Sequence, residues 1–125
     1  MINGISLTDV FIDCRNPDSL REFYHNLTGW ERITKYGNTL GLVTKDGLAI
    51  LFVECDVPYE PPVWPEEIGK QQKQSHFDFA VENLQVAVME ATRLGARKAD
   101  SQFGGEQWIT LLDPEGHLFC FGEDE

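Results

Sequence analysis

The feature that most restricts this chain is that its sequence runs one local pattern twice. Residues 9–14 alternate apolar and polar side chains, the period of a half-buried strand. Asn16-Pro17 follows, a side-chain oxygen suited to cap a helix and a proline suited to its first position. Leu20, Phe23, Tyr24 and Leu27 then recur at helical spacing, and Gly29 closes the segment. Short strands are expected at 30–34, 39–44 and 48–54, the last two joined by Asp46-Gly47, which predicts a two-residue hairpin turn.

The order then restarts. Residues 76–81 alternate, Asn83 is placed to cap a helix, and Leu84, Ala87, Val88, Ala91 and Leu94 share one face before Gly95. A short strand at 97–100 and a hairpin of 108–112 with 117–122 complete the copy. Its turn, Asp113-Pro114-Glu115-Gly116, has the proline and glycine of a type I turn. An offset of 67 residues places Asp9 on His76, Asn16 on Asn83, and Leu20, Tyr24 and Leu27 on Ala87, Ala91 and Leu94. After the hairpin turns, an offset of 69 places Gly47 on Gly116, and Ile50 and Phe52 on Phe119 and Phe121.

The expected organisation is one domain over 1–125, made of a module at about 5–57, a Pro- and Gln-rich linker at about 58–75, and a second module at about 76–123. A chain of 125 residues buries roughly two thirds of its unfolded surface, enough for a core without staples. The acidic end, Glu123-Asp124-Glu125, is expected to be loose.

Splitting each strand into faces locates a candidate site. Val10, Ile12 and Cys14, and in the second copy Phe77, Phe79 and Val81, should pack under the helices. The closing strands should send Ile50, Phe52, Phe119 and Phe121 the same way, leaving Leu51 and Cys120 on the opposite face. That second face also carries Asp9, Phe11 and Asp13, and His76, Asp78 and Ala80. Charged groups seldom face a core without a partner, so these acids and this imidazole point to a cleft between the two copies. The plain alternative is that the face meets water or a second subunit. Tyr59, Trp64, Phe103 and Trp108, near the flexible Gly104-Gly105, are placed to cover such a cleft or to pack at an edge. His117, just after a turn glycine, reads as exposed.

Charge and composition narrow the partners. A formal charge of −11 repels phosphate backbones and anionic lipid, so neither nucleic acid nor membrane is expected as a partner. The longest apolar run, 48–53, is of strand length, and residues 1–4 show no basic segment leading into an apolar one, so no export signal is expected. Three widely spaced cysteines without a CxxC pair fit reduced thiols in the cytoplasm.

Several fragments, in this order and spacing, resemble the vicinal-oxygen-chelate superfamily, which includes glyoxalase I, bleomycin-resistance proteins and extradiol dioxygenases. They are the strand followed by Pro17 to the Phe23-Tyr24 pair, the Leu27-x-Gly29-Trp30 exit, His76-Phe-Asp-Phe-Ala-Val-Glu-Asn-Leu, Leu94-Gly95-Ala96, and Leu112-Asp-Pro-Glu-Gly-His-x-Phe-Cys-Phe. The glyoxalase-like branch is the nearest in kind, with Cys120 in its last strand and Pro61-Pro-Val-Trp64-Pro65 in the connection. The resemblance implies an α+β fold: two tandem βαβββ modules forming a curved mixed sheet around a cleft, with helices on the outer face. It also implies a homodimer. Family metal enzymes draw ligands from the first and last strands of each module, positions held here by Asp9, Leu51, His76 and Cys120. Leu51 has no donor atom, which predicts that the usual metal site, and with it any cofactor, is missing.

Three functions are compatible with these residues. The first is a metal-free small-molecule binder using Phe11, Asp13, Leu51, Trp64, Phe103, Trp108 and Cys120. The second is a lyase, isomerase or dioxygenase, with His76 as acid or base steered by Asp9 or Asp78. It would have the option of a divalent metal (Zn²⁺, Fe²⁺, Mn²⁺ or Ni²⁺) on His76, Asp9 and Cys120. The third is a non-catalytic module whose polar face meets a protein partner.

Overall fold

A computed structural model describes residues 1–123 and shows two compact units, Met1–Tyr59 and the remainder of the chain from Glu60. In the first, β1 (Asp9–Cys14), α1 (Pro17–Thr28), β2 (Glu31–Lys35), β3 (Thr39–Val43) and β4 (Ala49–Glu54) form a four-stranded mixed sheet of order β1-β4-β3-β2. In the second, β5 (Phe77–Val81), α2 (Leu84–Leu94), β6 (Arg97–Lys98), β7 (Trp108–Leu112) and β8 (Leu118–Glu123) give the order β5-β8-β7-β6. The outer pair of each sheet is parallel, joined by its helix, and the other pairs are antiparallel. The chain is thus α+β, with two tandem βαβββ modules of one topology.

Both helices start on the asparagines singled out in the sequence. Asn16 Oδ1 accepts the Ser19 N–H at 3.2 Å and Asn83 Oδ1 accepts that of Val86 at 3.0 Å, each satisfying a first-turn donor that has no partner within the helix. Pro17 opens α1, and Asp18 places an acid at the positive end of the helix dipole. The inner face of α1 buries Leu20, Phe23 and Tyr24, and the Tyr24 ring lies parallel to that of Phe52, with centroids 6.0 Å apart. In module 2, Phe79 meets Phe119 and Phe121 at 6.1 Å each. Each such side chain contributes about 1.5–3 kcal/mol on full burial. The core face of each sheet therefore agrees with the alternation in the sequence.

The turn after β3 differs from expectation. Thr44 N–H donates to the Leu48 carbonyl at 2.9 Å and Gly47 N–H to that of Thr44 at 3.0 Å, which makes a three-residue loop. Gly47 has φ 90° and acts as the bulge residue that follows a type I turn, so Asp46-Gly47 is not the two-residue hairpin it resembles. The corresponding turn repeats this geometry. Asp113 N–H donates to the His117 carbonyl and Gly116 N–H to that of Asp113, both at 2.9 Å, with Gly116 at φ 93°.

Residues 60–75 form no regular strand or helix and are fastened to module 2. Val63 N–H donates to the Gln71 carbonyl at 2.9 Å, and Trp64 Nε1–H donates to the Ser101 carbonyl at 3.0 Å. Glu123 pairs with Val81 at the end of β8 and is not loose, while Asp124 and Glu125 lie outside the described residues. Among the described residues no helix is long and apolar enough to cross a membrane.

Candidate functional site

Strand register assembles the polar side chains of module 2. Asp78 and Cys120 are direct partners on the parallel pair β5–β8, and Thr110 is the partner of Cys120 on β7. These residues therefore form one row across a single face of the sheet, because paired residues share a face. His76 stands two positions before Asp78 and so falls on that face as well. Its Nε2 lies 3.2 Å from Asp78 Oδ1, and Thr110 Oγ1 lies 3.4 Å from Cys120 Sγ.

This row floors a cavity of about 650 Å³ whose walls include Trp64, Phe103 and Trp108. The size is typical of small-molecule sites, and every lining residue belongs to the second unit. Trp64 and Phe103 meet edge to face at 5.6 Å, the arrangement favoured by the ring quadrupoles. Lys73 Nζ sits 5.1 Å from the Trp64 ring centre and 2.5 Å from Glu66 Oε1, so its charge is balanced locally. Trp108 belongs to β7, as its sequence pattern predicts, which fixes its backbone at the cavity wall.

Burial is the main influence on Cys120. It pushes the thiol above its usual value, Asp78 adds to the rise, and the hydrogen bond from Thr110 opposes it. The sulfur at neutral pH is thus a protonated thiol and a poor nucleophile by itself.

Module 1 uses the matching position differently. The Asp9 carboxylate accepts from Lys35 Nζ at 2.5 Å, from the Tyr36 hydroxyl, and from Thr8 Oγ1 at 3.1 Å. The hydrogen bond from Lys35, then that from Tyr36, holds its pKa below the ordinary aspartate value. Within module 1, Asp9 is therefore a hydrogen-bonded, ion-paired carboxylate. Phe11, on the same strand, stacks on Tyr36 at 6.3 Å. Leu51 is wholly buried and Asp13 is exposed on β1. Asp9, Phe11, Asp13 and Leu51 thus belong to the sheet of module 1 and do not line the cavity.

A depressed aspartate pKa favours the folded state above the unfolded value of 3.8, and that stabilisation is lost as pH falls through the lower folded value. Asp9→Asn should therefore reduce stability at neutral pH and flatten its fall below about pH 4, read from urea midpoints across an acid series. An unchanged acid slope would contradict the Asp9–Lys35 account.

His117 is not simply exposed. Its Nδ1 lies 2.9 Å from Asp113 Oδ2, and the Asp113 side chain is fully buried. Thr110, Lys35, Tyr36 and Lys73 were missed by sequence reasoning. Thr110 alone left a signal, through its alternation with Trp108 and Leu112 in β7.

The family model for glyoxalase-like domains matches residues 9–122. The chain belongs to the glyoxalase-like family. Solved structures agree on the fold of this glyoxalase-like protein. A glyoxalase/bleomycin resistance protein/dioxygenase family enzyme from Burkholderia phytofirmans PsJN superposes with TM-score 0.69 at 19% identity, covering 95% of this chain and 98% of that one. The fosfomycin resistance protein FosX from Listeria monocytogenes, complexed with Mn(II) and sulfate, gives TM-score 0.67 at 19% identity and covers 100% and 93%. A possible glyoxalase from Bacillus cereus gives 0.63 at 15% identity, covering 95% and 99%. At these identities the likeness concerns the fold alone. No curated protein matches the sequence.

The four positions the family uses for a metal do not fit one here. Leu51 offers no donor, and the oxygens of Asp9 are already taken by Lys35 and Tyr36.

Proposed function

We propose that this glyoxalase-like protein binds a small organic molecule in the cavity of module 2 and does so without the four-position metal site of its family. The observation that carries this reading is the cavity itself, open at about 650 Å³, with aromatic walls above a polar floor of His76, Asp78 and Thr110. Aromatic faces supply buried apolar contact, and a few convergent polar groups fix orientation. A protein-interaction module would need no such void. A second reading, acid–base turnover of the bound molecule, is favoured by the contact between His76 Nε2 and Asp78 Oδ1, which can orient the ring. Homodimerisation and a cytoplasmic location belong to the same proposal; they rest on the family resemblance and on three widely spaced cysteines without a CxxC pair.

Two of the tryptophans line the cavity, so a ligand should quench intrinsic fluorescence. Screening small aromatic and thiol-adduct compounds by thermal shift, then titrating the hits by fluorescence, should give saturable binding. Ala80 is exposed and lines the cavity, so Ala80→Phe should block binding at least tenfold, about 1.4 kcal/mol, while leaving the melting temperature near wild type. Hits that bind the Ala80→Phe protein unchanged would overturn the assignment of the site.

A further inference from the structure

We infer that the cavity of module 2 takes a small protonated arylalkylamine, its ring on a shelf beside Trp108 and its ammonium on Asp78. The inference rests on the small-molecule reading above and adds the charge and shape of the ligand. Strand register lays the cavity floor in rows. Asp78, Cys120 and Thr110 make one row, and Ala80, Gly122 and Trp108 make the next, two residues further along β5. At about 3.3 Å per residue the two rows stand about 6.6 Å apart.

The second row is bare at two of its three positions. Ala80 offers only a methyl group and Gly122 no side chain, while Trp108 closes the row with its indole 40% exposed. The backbone does not itself require a glycine at 122. Its φ lies outside the left-handed region, and an added Cβ would meet nothing nearer than the Gln107 carbonyl oxygen at 3.6 Å, an ordinary contact. What the missing side chain provides is room for a flat ring against the indole, a pairing that rings favour in offset or edge-to-face form.

Charge then selects what the ring carries. Lys73 is held 2.5 Å from Glu66 Oε1, so Asp78 and Glu123 are the lining charges left to meet a ligand. His76 Nε2 contacts one oxygen of Asp78, whose side chain is 74% exposed. A carboxylate has about four acceptor sites, so Asp78 can receive an ammonium beside the imidazole. A neutral His76 leaves that pair with one negative charge. The aromatic walls act in the same direction, because ring faces attract cations. Lys73 Nζ, 5.1 Å from the Trp64 ring centre, already makes such a contact at this cavity. A ligand carboxylate would instead face two like charges. A two-carbon chain between ring and ammonium fits the step from the shelf to the Asp78 row.

The test is calorimetric titration of the full chain with 2-phenylethylamine, the isosteric neutral 2-phenylethanol and the anionic 3-phenylpropionate. Titrations are run at about pH 8, where a histidine is ordinarily uncharged. The amine should bind at least tenfold more tightly than the acid, with the alcohol between them. Asp78→Asn should weaken the amine about tenfold or more, as expected for a hydrogen bond to a charged group, and leave the alcohol within about twofold. Glu123→Gln should weaken the amine about twofold to fivefold, the range for an exposed charge pair. Gly122→Val, which fills the shelf, should weaken amine and alcohol alike by about tenfold, with circular dichroism showing the fold retained. An amine that does not bind, an acid that binds as tightly, or amine affinity unaltered in Asp78→Asn would overturn the proposal. The cavity reading fails separately: it falls if hits from the wider screen bind the Ala80→Phe protein unchanged, and it survives a ligand set that shows no preference for charge.

Discussion

Asp113→Ala should destabilise the protein by about 3–5 kcal/mol, the combined cost of taking one shared acceptor from several buried donors. The Asp113 side chain has no exposed surface. Its Oδ1 accepts the backbone N–H of Glu115 at 2.9 Å and that of His117 at 3.0 Å, and also contacts His117 Nδ1 at 3.0 Å. Alanine would leave two backbone donors and an imidazole without this acceptor, each unsatisfied buried group costing about 1–3 kcal/mol. Asn keeps an acceptor oxygen, so Asp113→Asn should lose roughly half as much. Urea unfolding checks both. A loss below about 1 kcal/mol for alanine would mean the turn is held by its glycine and proline instead. The effect should reach the site, because this turn joins β7 and β8, which carry Thr110 and Cys120.

Gly104→Ala should lower stability by about 1–3 kcal/mol, the usual cost of overpacking, and weaken ligand binding in the cavity as well. A Cβ at Gly104 would lie 2.3 Å from the Trp108 carbonyl oxygen and 2.5 Å from its indole Cδ2. The oxygen is backbone at the start of β7, so the residue 104–108 turn must open for the methyl group to enter. That movement displaces Trp108 from the wall. Calorimetry and fluorescence titration should therefore change together. A variant that loses stability with its affinity intact would show that the position of Trp108 does not govern the site.

How much of this was legible in sequence depends on whether the determining interactions are local. Asn16 and Asn83, the apolar stripes, and the alternation of β1 and β5 act within a few residues, so they announced both modules. The hairpin loop was misjudged because Asp46-Gly47 serves two turn geometries, and the closing pair Thr44–Leu48 decides between them. His76, Asp78 and Cys120 were visible because face alternation and a parallel register are enough to bring them together.

The bonds of Asp9 within module 1 were hidden for the opposite reason. Its partners, Lys35 and Tyr36, lie 26 and 27 residues away and reach it through folding, with no local sign of the pairing. The same holds for the linker residues 60–75, where Trp64 anchors the segment by a hydrogen bond to Ser101, 37 residues away. The repeat therefore specifies the scaffold twice, whereas the chemistry is unequal. One module neutralises its acid, and the other gathers a cavity around an imidazole, a carboxylate and a thiol.

The central claim, that module 2 alone carries the ligand site, is tested most directly by amide chemical-shift mapping with a compound from the fluorescence screen. Shifts centred on Asp78, Phe103, Trp108 and Cys120, with the indole signals of Trp64 and Trp108 moving and Phe11 and Tyr36 unchanged, are the predicted result. Shifts centred on Phe11, Tyr36 and the Asp9–Lys35 pair would contradict it.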